Sequence, residues 1–468
     1  MATPSAVLTI STVLLTGYRP EGIFVRAPNN MPIPTFIRNA IISERKAKKL
    51  PLDDLQEQLG YLRRRIARID RKYAKGTPPV PLPAARRKPD RYFVEEYLAG
   101  QEVETEFGRH FESEKLYERH RRHGSIGICD LEHLPAHLLE PISNGVVVSA
   151  PPQSWAFLDT ETTGLAGGSG TYAFLVGVGR IAPDGFRVRQ FFMRDHGEEA
   201  SLLHALAAHL KQFQVLITYN GRTYDQPLLE TRYRMGRRRP PFDDLQHLDL
   251  LFGARRLWKL RFDSCRLVEL ESRILGVERE GDLPGEMIPY VYFEYLRTRE
   301  IFRLIPIFHH NAIDILTLAC LTAIVPWAFH APENAQFAHG AEMVGLGRWW
   351  RQAENHDNAL ALFRGAIERG LPDDLYFRTL WDIACLEKKA KRADEARRAL
   401  EDLANSPNPW RVHAFEGLAR HYERRERDFT AALNMTMRAI ALEPSDALVR
   451  RRTRLEKRLA QTQTQRLL

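Results

Sequence analysis

Cysteine is scarce in this chain: four residues among 468, Cys129, Cys265, Cys320 and Cys385, spaced 136, 55 and 65 positions apart. No Cys-x-x-Cys occurs, so a zinc knuckle or a redox pair has no basis in the sequence. Such sparse use fits a reducing compartment, and a cytoplasmic protein is the expectation. Long apolar runs are missing too. Ala6 to Leu15 is apolar but broken by Thr and Ser, with no basic residue ahead of it, which makes a poor secretory signal. No other segment approaches the ~18 unbroken apolar residues of a bilayer span, and no membrane partner is expected. Residues 1–41 are expected to be disordered, with Met31, just before Pro32-Ile33-Pro34, as an alternative start.

Most of the chain also lacks an excess of either charge. Residues 153–330 carry 21 basic and 21 acidic side chains, whereas 42–91 carry 15 and 6, a surplus equal to the +9 of the whole protein. With hydrophobic residues at 44% and charged residues at 27%, wholesale disorder is excluded. The length corresponds to two or three domains of about 150 residues.

Within the basic segment, Leu52, Leu55, Leu59, Leu62, Ile66, Ile69 and Tyr73 follow 3,4 spacing, the repeat of a coiled-coil seam. Arg63, Arg64, Arg65, Arg68, Arg71 and Lys72 fill other positions. A basic amphipathic helix is expected over 42–76. It can pair with a second copy through 52–73, pack on its own chain, or contact a phosphate backbone. Five prolines between 78 and 89 mark 77–91 as a stiff linker. Residues 92–150 carry little signal and are taken as an extension of the following module.

From 151 to 330 the pattern is α/β. Trp155–Asp159, Tyr172–Ile181, Arg187–Met193 and Val215–Tyr219 read as strands, Glu198–Gln212 as a helix, and helical periodicity dominates from Asp225 to about Ala328. Residues 335–460 are helical and repetitive. Gly347, Ala384 and Ala419 recur at spacings of 37 and 35, and Ala359, Ala396 and Ala432 at 37 and 36. This resembles tetratricopeptide repeats, whose paired helices pack through small residues. A protein partner is the expectation for such a surface. Trp349-Trp350 is read as packing core.

Phe157-Leu158-Asp159-Thr160-Glu161-Thr162-Thr163-Gly164 has an apolar run feeding two acids. Asp159 and Glu161 stand at i and i+2, so both side chains leave one face of a strand. Two carboxylates against apolar surroundings need cations to offset repulsion and desolvation, and hard oxygen donors suit Mg²⁺ or Mn²⁺. Asn220-Gly221-Arg222-Thr223-Tyr224-Asp225 then sets Asp225 near a helix start, and His309-His310-Asn311-Ala312-Ile313-Asp314 opens a further helical stretch. Asp249 in HLDLL is read as a cap and Asp282 in GDLPG as a turn former.

The order D-x-E, N-x4-D, then His and Asp resembles the DEDD superfamily of 3′-to-5′ exonucleases, the DnaQ-like branch of the ribonuclease H fold. FLDTETTGLAGGSGTYAFLVGVG, CRLVELESRILGVERE, GDLPG and HHNAIDILTLA are similar to the YprB-type ribonuclease H-like domain. The resemblance covers about 150–328 and implies a mixed sheet flanked by helices. It implies two Mg²⁺ or Mn²⁺ ions held by Asp159, Glu161, Asp225 and Asp314, with Asp159 bridging, and a histidine base. On a helix turning about 100° per residue, His310 lies about 40° from Asp314 and His309 about 140°, so His310 is favoured and His309 is the alternative. The implied substrate is single-stranded DNA or RNA with a 3′ end. An adaptor acting through the repeats and a structure-specific endonuclease are the competing readings.

Candidates for holding nucleic acid are Thr160, Thr162 and Gly164 beside the acids, with Gly167, Gly168 and Gly170 in the following turn, Asn220 and Arg222 before Asp225, and Arg238 and Arg239 in the cluster with Arg232, Arg234 and Arg237. Arg255, Arg256, Lys259 and Arg261 form a second cluster, and Arg64 and Arg68 lie on the basic arm. Because the charge surplus is confined to 42–91, deleting this segment should weaken binding of single-stranded nucleic acid and flatten its dependence on salt. Fluorescence anisotropy across a salt series measures this; an unchanged slope would reduce the arm to a packing or dimerising helix.

Overall fold

The computed structural model describes residues 93–164, 170–279, 281–332 and 337–467. The expected basic helix, its Arg64 and Arg68, the Pro-rich linker and Gly167 and Gly168 lie outside these residues. Seven strands form one mixed sheet: β1 (Gln101–Thr105), β2 (Gly108–Glu118), β3 (Trp155–Thr162), β4 (Ala173–Ala182), β5 (Gly185–Phe192), β6 (Val215–Thr218) and β7 (Gln246–Asp249). Their order is β1-β2-β5-β4-β3-β6-β7. β3 pairs antiparallel with β4 and parallel with β6, so the acid-bearing strand is central.

Two strands depart from the sequence reading. β1 and β2 fall in the segment that carried little signal, because QEVET and GRHFESEKLYE are polar strands buried only in part. β7 interrupts the expected helical stretch. Its four residues, QHLD, are too few to show a period and are held by parallel pairing with β6.

Alternation along β3 sends Trp155 and Phe157 to one face and Ala156 and Leu158 to the other, and each face buries its own core. The first face is covered by α3 (Leu250–Trp258) and α5 (Ile305–Thr322), the second by α1 (Glu199–Leu210), α2 (Asp225–Met235) and α4 (Ile288–Thr298). The stretch Ile301–His330 is long and apolar enough to cross a membrane by length and composition, but most of it is buried in this fold. Its tight seat on the sheet depends on glycine. A Cβ on Gly177 would stand 2.2 Å from Asn311 Oδ1 and 2.3 Å from Ile315 Cδ1, and one on Gly179 would stand 2.4 Å from Ile315 Cγ2. These two residues pair with Asp159 and Phe157, so α5 comes closest where the acids emerge.

The C-terminal region is all helical. α6 (Val325–His330) leads to the hairpins α7 (Gly340–Gln352) with α8 (His356–Arg369), α9 (Asp373–Lys389) with α10 (Ala393–Asn405), and α11 (Arg411–His421) with α12 (Phe429–Leu442), followed by α13 (Asp446–Leu467). Gly347, Ala384, Ala419, Ala359, Ala396 and Ala432 are all buried, and a Cβ on Gly347 would press 2.6 Å from the Phe363 ring. Trp349 is buried and packs edge-on against Phe329, joining the first hairpin to the sheet's core.

Gly179→Ala adds a methyl where α5 leaves no room. It should cost about 1–3 kcal/mol of stability, read from the urea midpoint of the full chain. An unchanged midpoint would mean that α5 is not held at this distance.

Candidate active site

The apolar half of β3 is wholly buried, and Asp159 and Glu161 continue its α5-facing side toward the end of the strand. Asp225 opens α2. The turn before it is held by Asp249, the N-cap of α3. Its Oδ1 accepts from the backbone N–H groups of Leu251 (3.1 Å) and Asn220 (2.8 Å), and its Oδ2 from that of Arg222 (3.1 Å). Asn220 takes a left-handed conformation there, φ 68°, and so serves the turn's geometry. Asp314 lies on α5.

These four acids form one electrostatic cluster. Burial, then the charges of Asp314 and Asp225, push the Asp159 carboxyl well above the usual carboxylate range. Burial, then Asp159 and Asp314, do the same to Glu161. Asp225 is pushed up to about 6 by burial, against the opposing effect of a 2.5 Å hydrogen bond donated by Thr160 Oγ1. Each remaining acid except Glu161 also has an orienting donor. Asn311 Nδ2 donates to Asp159 Oδ2 at 2.9 Å, and Arg279 donates to Asp314 Oδ1 at 2.5 Å. Gln190 Nε2 holds Asn311 in turn, at 2.9 Å from its Oδ1.

Among the described residues, no three Asp, Glu, His or Cys side chains meet in a geometry that would by itself hold a metal ion. The chemistry of the donor set nevertheless fits a hard divalent cation. Glu161 is buried and Asp159 and Asp225 are half-buried, and desolvation together with their mutual repulsion raises the proton affinity of Asp159 and Glu161, a balance that a cation would shift back.

The two histidines diverge. His310 donates from Nδ1 to Asp282 Oδ1 at 2.7 Å, and its Nε2 stands 3.5 Å from Asp314 Oδ2. Burial pulls its imidazole down, but the Asp282 hydrogen bond and the charge of Asp314 outweigh this and leave it above its ordinary value. His309 turns away, with Nδ1 3.5 Å from Lys115 Nζ on β2, and desolvation followed by Lys115 holds it below the ordinary histidine value.

Of the proposed nucleic-acid contacts, Thr160 serves Asp225, and Thr162 donates to the Gly164 carbonyl at 2.9 Å. Gly170 is exposed beyond the end of β3. Arg222 is exposed beside Asp225, with its guanidinium on the His247 carbonyl. Arg238 and Arg239 lie beyond the far end of α2, eleven residues or about 16 Å from its start. Arg238 donates to the Ala200 carbonyl and stacks on Phe107, and Arg239 pairs with Asp243. Arg232 is a correction to the basic cluster: it is buried, paired with Glu199 at 2.5 Å and stacked on Tyr172.

Sequence reasoning missed Arg279, Asn311 and the partnership of Asp282 with His310. Asp282 does order its turn, accepting from Leu283 N–H at 2.9 Å, but it also anchors the histidine. The only signal was the crowding of charge in ERE-GD next to GDLPG.

The raised acids set a sign for stability. Folded Asp225 holds its proton up to about 6 against an ordinary 3.8, so its contribution is fully present below the lower value and is lost as pH rises through the upper. In EDTA, the stability of the protein relative to Asp225→Asn should fall by about 1–3 kcal/mol between acid and neutral pH. Paired urea melts measure it, and a difference independent of pH would contradict it.

Residues 156–325 match the model of an RNase_H superfamily domain. The uncharacterized protein YprB of Bacillus subtilis (strain 168) is 33% identical over 287 residues, which cover 61% of this chain and 68% of that protein. A domain of this superfamily indicates a nuclease with a nucleic acid substrate, and RNase H-like nucleases typically use divalent metals. The chain therefore belongs to the family of YprB and carries an RNase H-like domain.

Proposed function

We propose that the protein is a divalent-metal-dependent 3′-to-5′ exonuclease of the DEDD type, hydrolysing phosphodiester bonds in single-stranded nucleic acid. One observation carries the reading: Glu161, buried, and Asp159 and Asp225, half-buried, come from β3 and α2 into one charge cluster with Asp314 and the His310–Asp282 pair.

Asp159, Glu161, Asp225 and Asp314 would hold two Mg²⁺ or Mn²⁺ ions. Such ions, when bound, activate a water and stabilise the leaving oxygen of an in-line displacement. His310 supplies the base. Its Nδ1–H is committed to Asp282, which leaves Nε2 to take the proton of the attacking water and places a carboxylate to stabilise the imidazolium that results. Asn311 and Thr160 keep Asp159 and Asp225 in single orientations, so their free oxygens are arranged before substrate arrives. Arg222, exposed three residues ahead of Asp225, and Lys115, against His309, are candidates for sequence-independent phosphate contacts.

The direct test uses 5′-labelled DNA and RNA oligomers with Mg²⁺ or Mn²⁺. A ladder receding from the 3′ end should appear with the wild type and vanish with Asp159→Asn; cleavage of circular substrates would replace the exonuclease reading with an endonuclease. His310→Ala should lose about 100-fold or more in kcat, while His309→Ala keeps most of it. Asp282→Asn should lower kcat and move the acid limb of its pH profile downward, since Asp282 is what lifts His310. Full activity in His310→Ala would remove the base from the mechanism.

A further inference from the structure

Among the described residues, Arg279 is the one guanidinium hydrogen-bonded to an acid of the cluster, and all three of its nitrogens are engaged. Nε donates to Glu271 Oε2 at 2.5 Å, one terminal nitrogen to Asp282 Oδ2 at 3.2 Å and the other to Asp314 Oδ1 at 2.5 Å. Glu271 is completely buried in the turn Glu271–Leu275. It is fixed by Thr317 Oγ1 at 2.7 Å and by His123 Nε2 at 3.1 Å. Thr317 and His123 both reach Oε1, so withdrawing Arg279 would strip the guanidinium from Oε2 of a fully buried carboxylate, and it cannot swing aside cheaply. It is part of the frame.

We propose that Arg279 is the built-in counter-cation of this centre, a positioning residue that presents Asp314 to a divalent ion through one oxygen only. It takes Asp314 Oδ1 and leaves Oδ2, which faces His310. It also braces Asp282, and through Asp282 the histidine. A fixed unit of positive charge beside the ligand shell opposes divalent-ion binding by Coulomb repulsion. The same charge holds the acids together in the metal-free protein. Arg279 thus trades metal affinity for a prearranged centre. This inference rests on the nuclease reading for its metal, but its own test needs no turnover.

The experiment titrates Mn²⁺ into the full chain without substrate, following free Mn²⁺ by electron paramagnetic resonance. Arg279→Gln should bind Mn²⁺ about tenfold more tightly than wild type, melt at a lower temperature in EDTA, and lose kcat on a single-stranded oligonucleotide. Arg279→Lys, which keeps the charge, should bind Mn²⁺ close to wild type. Tighter binding with lower kcat separates positioning from simple damage, which would weaken both together. Unchanged or weaker Mn²⁺ binding in Arg279→Gln overturns the inference. Should that variant fail to fold, Glu271→Gln/Arg279→Gln removes the buried pair together and is read for the same direction. If Asp159→Asn leaves wild-type Mn²⁺ binding intact, or no protein binds Mn²⁺, the metal reading itself falls and takes this one with it.

Discussion

Negative charge forced into the middle of an apolar sheet is the constraint on which the rest of this structure turns. β3 is driven inward by Trp155, Ala156, Phe157 and Leu158, all buried, and it carries in Glu161, also buried, and Asp159, half-buried. Carboxylates in that position repel one another and lose hydration, a cost of several kcal/mol per ion unless donors and cations answer it. The neighbours are that answer in part. Thr160 donates to Asp225, Asn311 to Asp159 and Arg279 to Asp314, and the remaining deficit shows as raised proton affinity at Asp159 and Glu161. A centre left in that condition is prepared for a further positive charge.

Two hydrogen-bonded chains bring distant parts of the sequence to bear on it. One runs from Ser113 on β2 to Gln190 on β5, then to Asn311 and Asp159. The other runs from His123 through Glu271 and Arg279 to Asp314. Both begin before residue 130, so the N-terminal extension of the domain contributes to the centre's geometry as well as to the sheet's edge. Small residues make the contacts short enough. Without glycine at 177 and 179, α5 could not approach β4 closely, and Asn311 would stand too far out to reach Asp159.

What was legible in the sequence follows from how local each signal is. Asp159 and Glu161 announced themselves by sitting two residues apart after an apolar run, and Asp225 and Asp314 by their place near or within helices. His310 could be preferred over His309 because four residues on a helix share a face, and that is the side it takes here. Arg279 could not be found this way, because its partners lie 8, 3 and 35 residues away, in a helical turn, a loop and α5. Composition misled at Arg232, where a basic cluster suggested a surface and tertiary packing made one member a buried ion pair. β1 and β2 were hidden because strands exposed along much of their length show little of the alternation that marks half-buried ones.

The helical hairpins are seated on the RNase H-like domain through α3, and α3 also bears on the turn ahead of Asp225. At one end of it, Asp249 caps the helix and fixes the backbone of Asn220 and Arg222, immediately ahead of Asp225. Toward the other end, the Arg256 carbonyl presses so close to α7 that only glycine fits at 345, where a Cβ would stand 1.9 Å away. Arg261, just beyond α3, closes the contact on buried Glu342 at 2.6 Å. A nine-residue helix is therefore pinned at both ends, by the turn that aims a metal-ligand candidate and by the first hairpin of the repeats. Close-packed interfaces of this kind resist gradual deformation. The first hairpin is consequently packed on the same short helix whose capping residue fixes the turn ahead of Asp225.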